Sequence, residues 1–421
     1  MNKKNQLYLL SSVLFFFLTL YCYFNMPIGY SLTDSVRISL HRTIYSSKKG
    51  EGVFNKVELI IPDEGMRRLE KSRVQAIKRG CMLDEFQKKI KGVLIYNGEE
   101  FPVKIKLKGT LPSHWIEPLE WSFRVASTKN IPVFEDLRIF SLQSRNQRGV
   151  YADYYYHKVL KHYDVMSLKY KYIEFYLNGM HLKNYTVEEF FDVPIIIRNN
   201  RKNGIIFKFS SDKFWELGAG INQNLGFELY EEMYKTASLK IYNDKYQKIF
   251  DRKGDSLKID FLIKGFRQKS LLSSEVFDVT VWGKYFAINT MFANHHPGRL
   301  TNLRFFYNED TKLIEPIGYD LEHINDLEYI EPYTDNFWIH KDDEQTSSFY
   351  RQIFDDSLMF SAYENALSVL VYSEEIDSLL KSLEKETDLL ISSEKDSVES
   401  RYYLQKNLNF ISKILKKGIK R

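Results

Sequence analysis

Two histidines, an amide and a carboxylate fall within one stretch, residues 290–322, TMFANHHPGRLTNLRFFYNEDTKLIEPIGYDLE. Residues 303–307 are rich in β-forming side chains, 308–312 supply turn chemistry, and 313–319 read as the returning strand. In an antiparallel hairpin turning near Asp310 and Thr311, residues equally far from the turn lie opposite each other. Asn302 and Asp320 therefore come out at one open end. Hard oxygen donors at that mouth, with His295 and His296 shortly upstream, are what a Mg²⁺-dependent phosphoryl-transfer site uses. The plainer reading of Asn and Asp beside strands is that they are caps or turn residues.

Further candidates lie upstream. In VKIKLKG, residues 103–109, Val103, Ile105 and Leu107 point one way while Lys104, Lys106 and Lys108 point the other. Either this is a solvated strand face, or Lys106 or Lys108 meets a nucleotide phosphate, with Gly109 allowing close backbone approach. Glu188 and Glu189 end a second clear hairpin, and an acidic pair there also suits the first turn of a helix. Lys208 stands among apolar neighbours in the strand 205–209, where a charge is costly unless paired. Glu189 is the partner expected for it.

The elements that must position these residues form a recognisable series. Asn97-Gly98 and Asn178-Gly179 each sit between alternating segments, the strongest short hairpin signal. Residues 64–87 and 151–163 read as helices, and 228–249 and 273–294 as longer ones with apolar residues at i, i+3 and i+4. Three more helices follow at 357–370, 373–390 and 393–419, after an irregular acidic and aromatic run at 329–345. With 421 residues and 44% hydrophobic content, the chain can bury a large core. A net charge of +5, without one concentrated basic patch, argues against a nucleic-acid binder. Cys22 and Cys81 build neither a disulfide framework nor a zinc spacing.

Residues 7–24, LYLLSSVLFFFLTLYCYF, hold no charge and follow Lys3 and Lys4. This reads as a signal-anchor helix with the remainder of the chain outside the cytoplasm; a cleaved signal peptide is the rival. The expected organisation is an anchor at 1–25, a linker at 26–53, a β-rich N-lobe at 54–215 and a mostly helical C-lobe at 216–421 that contains the central hairpin.

The order of VKIKLKG, WSFRV, LRIFSLQSRN, YLNGMHLKNYTVEEFF, NGIIFKF and NLRFFYNEDTKLIEPIGYD, followed by a helical tail, resembles the CotH family of spore-coat-type atypical protein kinases. The resemblance spans residues 54–421. It implies an α+β, two-lobed atypical protein-kinase-like fold behind the N-terminal transmembrane helix. It also implies transfer of phosphate from ATP, with Mg²⁺ or Mn²⁺, to a hydroxyl of a cell-surface protein or glycan. On this resemblance Asp320 is the metal-binding aspartate, Asn302 the metal-binding amide, and Glu189 the glutamate that orients a phosphate-contacting lysine, which is Lys106, Lys108 or Lys208. The family places an acidic base between Thr290 and Asn302. Here His295 and His296 occupy that region, which makes His296 the candidate base. The other readings are a catalytically degenerate scaffold of the cell envelope and a metal-dependent hydrolase using His295, His296 and Asp320.

Overall fold

The computed structural model describes residues 54–417 except 119, 145–150, 203, 219–225, 243–253, 328–347 and 391–395. The expected anchor at 1–25, the linker at 26–53 and the irregular run at 329–345 lie outside the described residues. Among the described residues no helix is long and apolar enough to cross a membrane.

Strands β1 (Asn55–Ile60), β2 (Ile90–Tyr96), β3 (Glu99–Leu107), β4 (Phe123–Ser127), β5 (Ile139–Ser144), β6 (Tyr170–Leu177) and β7 (Met180–Glu189) form a closed barrel in the order β1-β2-β3-β4-β5-β7-β6. Both Asn-Gly hairpins form as their sequence requires. Asn97 and Gly98 take φ 52° and 79°, and Asn178 and Gly179 take 49° and 78°, the double positive φ of a type I′ turn. Closure comes from β1 pairing parallel with β6, Asn55 opposite Ile173 and Leu59 opposite Leu177. The Asn178 side chain completes the seam by accepting from the Ile61 amide at 2.7 Å and donating to the Ile61 carbonyl at 3.0 Å. The helix Asp63–Arg79 ends where Gly80 enters the left-handed region at φ 85°, short of the expected residue 87. Val103, Ile105, Leu107, Trp115, Phe123 and Phe175 are among the buried residues of the core.

The second unit is a four-stranded antiparallel sheet in the order β11-β10-β8-β9, accompanied by helices. Its strands are β8 (Gly204–Phe209), β9 (Leu239–Ile241), β10 (Arg304–Asn308) and β11 (Ile314–Ile317). The central hairpin is β10 with β11, in the register Arg304 opposite Ile317 and Tyr307 opposite Ile314. Two expected helices are cut short. Within 228–249 the described residues are helical up to Thr236, as part of Gly226–Thr236, and then enter β9, which pairs with β8; residues 243–249 lie outside the described residues. The segment 273–294 breaks at Phe277, which is extended and bridges Ile314, before Asp278 caps the helix Val279–Met291 through Thr280 and Val281. Gly283 lets that helix approach Ser357–Tyr372 closely: a Cβ there would stand 2.6 Å from the Ala362 carbonyl carbon.

The expectation of a two-lobed kinase-like fold is therefore corrected to a closed seven-stranded barrel and a sheet-and-helix unit. The compact units do not follow the expected division at residue 215 either. Of the described residues, one comprises those up to Ser144 with Tyr172–Val187, and the other those from Tyr151 to Lys171 with those from Glu188 onward. The physical reason is the β1–β6 pairing, which closes the sheet on itself and draws most of β6 and of β7 into the first unit.

Candidate functional site

The helix Val279–Met291 delivers the chain into a polar loop. Ala293 takes φ 48°, and Asn294, which is buried, then ties two loops together. Its Nδ2 donates to the carbonyls of Leu321 at 2.7 Å and His323 at 2.6 Å, while its Oδ1 accepts from the His296 amide at 2.9 Å. A short 3-10 turn, His296–Gly298, follows with Pro297 inside it, and the Tyr350 hydroxyl donates to the Gly298 carbonyl. Asn302 donates Nδ2 to the His296 carbonyl at 3.1 Å.

After β11 the chain passes Gly318, where a Cβ would lie 2.0 Å from Leu160 Cδ1, so a larger residue there would have to displace the Leu160 side chain. Asp320 and Glu322 then both adopt left-handed backbone, at φ 64° and 72°. Between them the Leu321 amide donates to Oδ1 of the buried Asp153 at 2.9 Å. This geometry brings both carboxylates to His296: Asp320 Oδ2 lies 3.9 Å from Nε2 and Glu322 Oε2 lies 2.8 Å from Nδ1. The Glu322 contact is an electrostatic approach and not an aligned hydrogen bond. His296 and Asp320 are mostly buried, with side chains 10% and 14% exposed, so their interaction is only weakly screened by water. The neighbouring His323 imidazole is held below the usual histidine range, chiefly by loss of hydration, with Glu322 opposing the shift.

His296, Asn302 and Asp320 thus come together, and Glu322, Asn294 and Asp153 join them. The other sequence candidates have different partners. Lys106 and Lys108 lie on or just beyond β3 in the barrel unit, where Lys106 donates to Gln87 Oε1 and the Lys108 amide bonds to the Ser122 carbonyl. Gly109, at φ 89°, makes room for the His114 ring, which a Cβ would meet at 2.0 Å. Among the described residues, the side chain that holds Glu189 is an arginine. Arg198 grips both its oxygens, through Nη1 at 2.7 Å to Oε1 and through Nη2 to Oε2, and the Lys169 amide adds 2.8 Å to Oε2. A planar guanidinium matches a carboxylate at two points, which an ammonium cannot do. Lys208 sits opposite Lys240 and is 3.3 Å from Ser211 Oγ.

A divalent cation suits this donor set in one way only. Among the described residues no three His, Cys, Asp or Glu side chains converge as a metal cage. Mg²⁺ ordinarily keeps several waters and takes one or two protein oxygens together with substrate phosphates. Asp320 and Asn302 each carry a hard oxygen donor of the kind such an ion takes. No protein-family model matches the chain, and no curated protein matches it.

Proposed function

We propose that the second unit transfers the terminal phosphate of ATP to a hydroxyl of a protein or glycan acceptor. The observation that carries this reading is a histidine with a carboxylate beside each ring nitrogen, at the mouth of a hairpin whose other donor is Asn302. ATP and a divalent ion, when bound, supply the transferable phosphate and the neutralising charge. Asp320 and Asn302 would hold the ion. His296 would take the acceptor proton on Nε2, and Glu322 beside Nδ1 would favour the imidazolium so formed. Asn294 and Asp153 keep the two loops in register so that these groups stay within reach of each other. A surface location for the acceptor rests on the apolar run at 7–24 alone.

A second reading, a non-catalytic scaffold, is favoured by one observation: the Glu189 carboxylate is engaged by Arg198 and not by a phosphate-contacting lysine. Transfer of labelled terminal phosphate to acceptors in cell extract, with Mg²⁺ or Mn²⁺, separates the two. His296→Asn is expected to lower kcat by about 10²-fold with little change in KM, the usual worth of a general base. No transfer with either metal by the folded wild type, or full activity in His296→Asn, contradicts the catalytic assignment.

A further inference from the structure

Arg304 opens β10 and is buried, only 7% exposed. Its guanidinium lies over three rings, 4.7 Å from the centroid of Tyr319, 5.4 Å from Phe191 and 5.8 Å from Tyr242. Nη1 is committed to the backbone, donating to the Thr301 carbonyl at 2.9 Å and the Leu303 carbonyl at 3.0 Å. Nε is buried with no hydrogen-bond partner, and among the described residues neither Nη2 nor any other part of the head meets a carboxylate. Arg73, the other buried arginine among the described residues, differs: it pairs with Glu70.

A buried, always charged group without a counter-charge is costly, and ring contacts offset only part of that cost. The two carbonyl bonds also fix the plane of the head, so its remaining Nε–Nη2 edge is held in one orientation. With Nη1 committed, that edge is the one left that can grip a carboxylate or phosphate at two points. Tyr319, partly exposed, is both the nearest ring and the residue before Asp320, which places the guanidinium beside the loop already described.

We propose that Arg304 is an oxyanion receptor that takes a phosphate or carboxylate group of a ligand on its Nε–Nη2 edge, with Tyr319 as the ring that yields to admit it. The assignment does not depend on phosphotransfer, since a binding protein without catalysis would use the same group. The test is thermal unfolding of the full-length chain, in EDTA, with inorganic pyrophosphate, inorganic phosphate, or malonate, each against sodium chloride of equal ionic strength. A saturable rise in Tm over the salt control is expected with at least one oxyanion; pyrophosphate over malonate identifies a phosphate ligand, and the reverse order a carboxylate ligand. Arg304→Met, which keeps the packing and removes the charge, is expected to abolish the rise. Arg304→Lys, which keeps charge and loses the fork, is expected to weaken it roughly tenfold and serves if the Met variant does not fold. The rise is read in EDTA and without ATP, so failure of the phosphotransfer reading leaves this result standing. No rise with any oxyanion, or the same rise in the arginine variants, overturns the proposal and leaves Arg304 as a packing group.

Discussion

Asp320 and Glu322 occupy backbone that costs a residue with a side chain about 1–2 kcal/mol, and two such residues within one short turn require surroundings that hold them there. Asp153 and Asn294 supply that hold. Asn294 makes two hydrogen bonds to the second loop and one within its own, so Asn294→Ala is expected to cost about 2–3 kcal/mol in urea unfolding. A loss below about 0.5 kcal/mol would show that the loops are held by something else. At this scale the sequence was half legible. Hairpin symmetry brought Asn302 and Asp320 to one mouth, and the histidine pair lay in plain view. Glu322, the second partner of His296, was not, because the left-handed φ that turns it inward leaves no trace in residue type. Asp153 reads as an ordinary first-turn acid of an aromatic helix, yet its carboxylate reaches the Leu321 amide. Arg304 reads as one charge in an apolar strand, and nothing local announces the ring cluster around it.

The elements are held by a few buried polar contacts whose removal has a definite sign. Arg201 donates Nε and Nη2 to Glu315 Oε2 at 2.9 and 2.8 Å, while Asn308 Nδ2 donates to Glu315 Oε1 at 2.6 Å; this ties the loop after the helix Val193–Arg198 to β11. Arg201→Met strands a buried carboxylate and is expected to cost about 3–5 kcal/mol. The double change with Glu315→Met is expected to recover most of that loss, and additive losses in the cycle would contradict the pairing. Asp356 caps the helix Ser357–Tyr372, accepting from Leu358 at 2.9 Å and from the Ser274 amide at 2.8 Å. Burial raises its pKa, but the bonds from Ser274 and from the helix amides outweigh this and leave it below the usual carboxylate value. A lowered folded pKa contributes stability that is present above the unfolded carboxylate pKa and is lost as pH falls through the folded value. Asp356→Asn is therefore expected to flatten the acid limb of the stability curve relative to wild type, measured by urea unfolding from neutral pH downward; an unchanged acid limb would contradict the assignment. Element existence was mostly legible and element ends were not. Apolar spacing carried the expected helix at 273–294 straight through Phe277, where the bridge to Ile314, a tertiary contact, breaks it.

At the scale of the whole molecule, the familiar order of short strands and Asn-Gly turns pointed to a two-lobed kinase-like fold, and the barrel overturns that. Hairpin signals specify which neighbours in sequence pair; they do not specify that Asn55 pairs with Ile173, and barrel closure depends on that distant pairing. The chemistry proposed for the second unit is therefore tested without appeal to fold. The most direct measurement is the melting temperature of the full-length protein with ATP, in EDTA and in Mg²⁺ or Mn²⁺, for wild type and Asp320→Ala. The account predicts a further rise on adding metal, of several degrees at saturating ATP, that Asp320→Ala loses while remaining folded. A metal-dependent rise of equal size in Asp320→Ala, or none in a well-folded wild type, would contradict the placing of the nucleotide and its metal at Asp320.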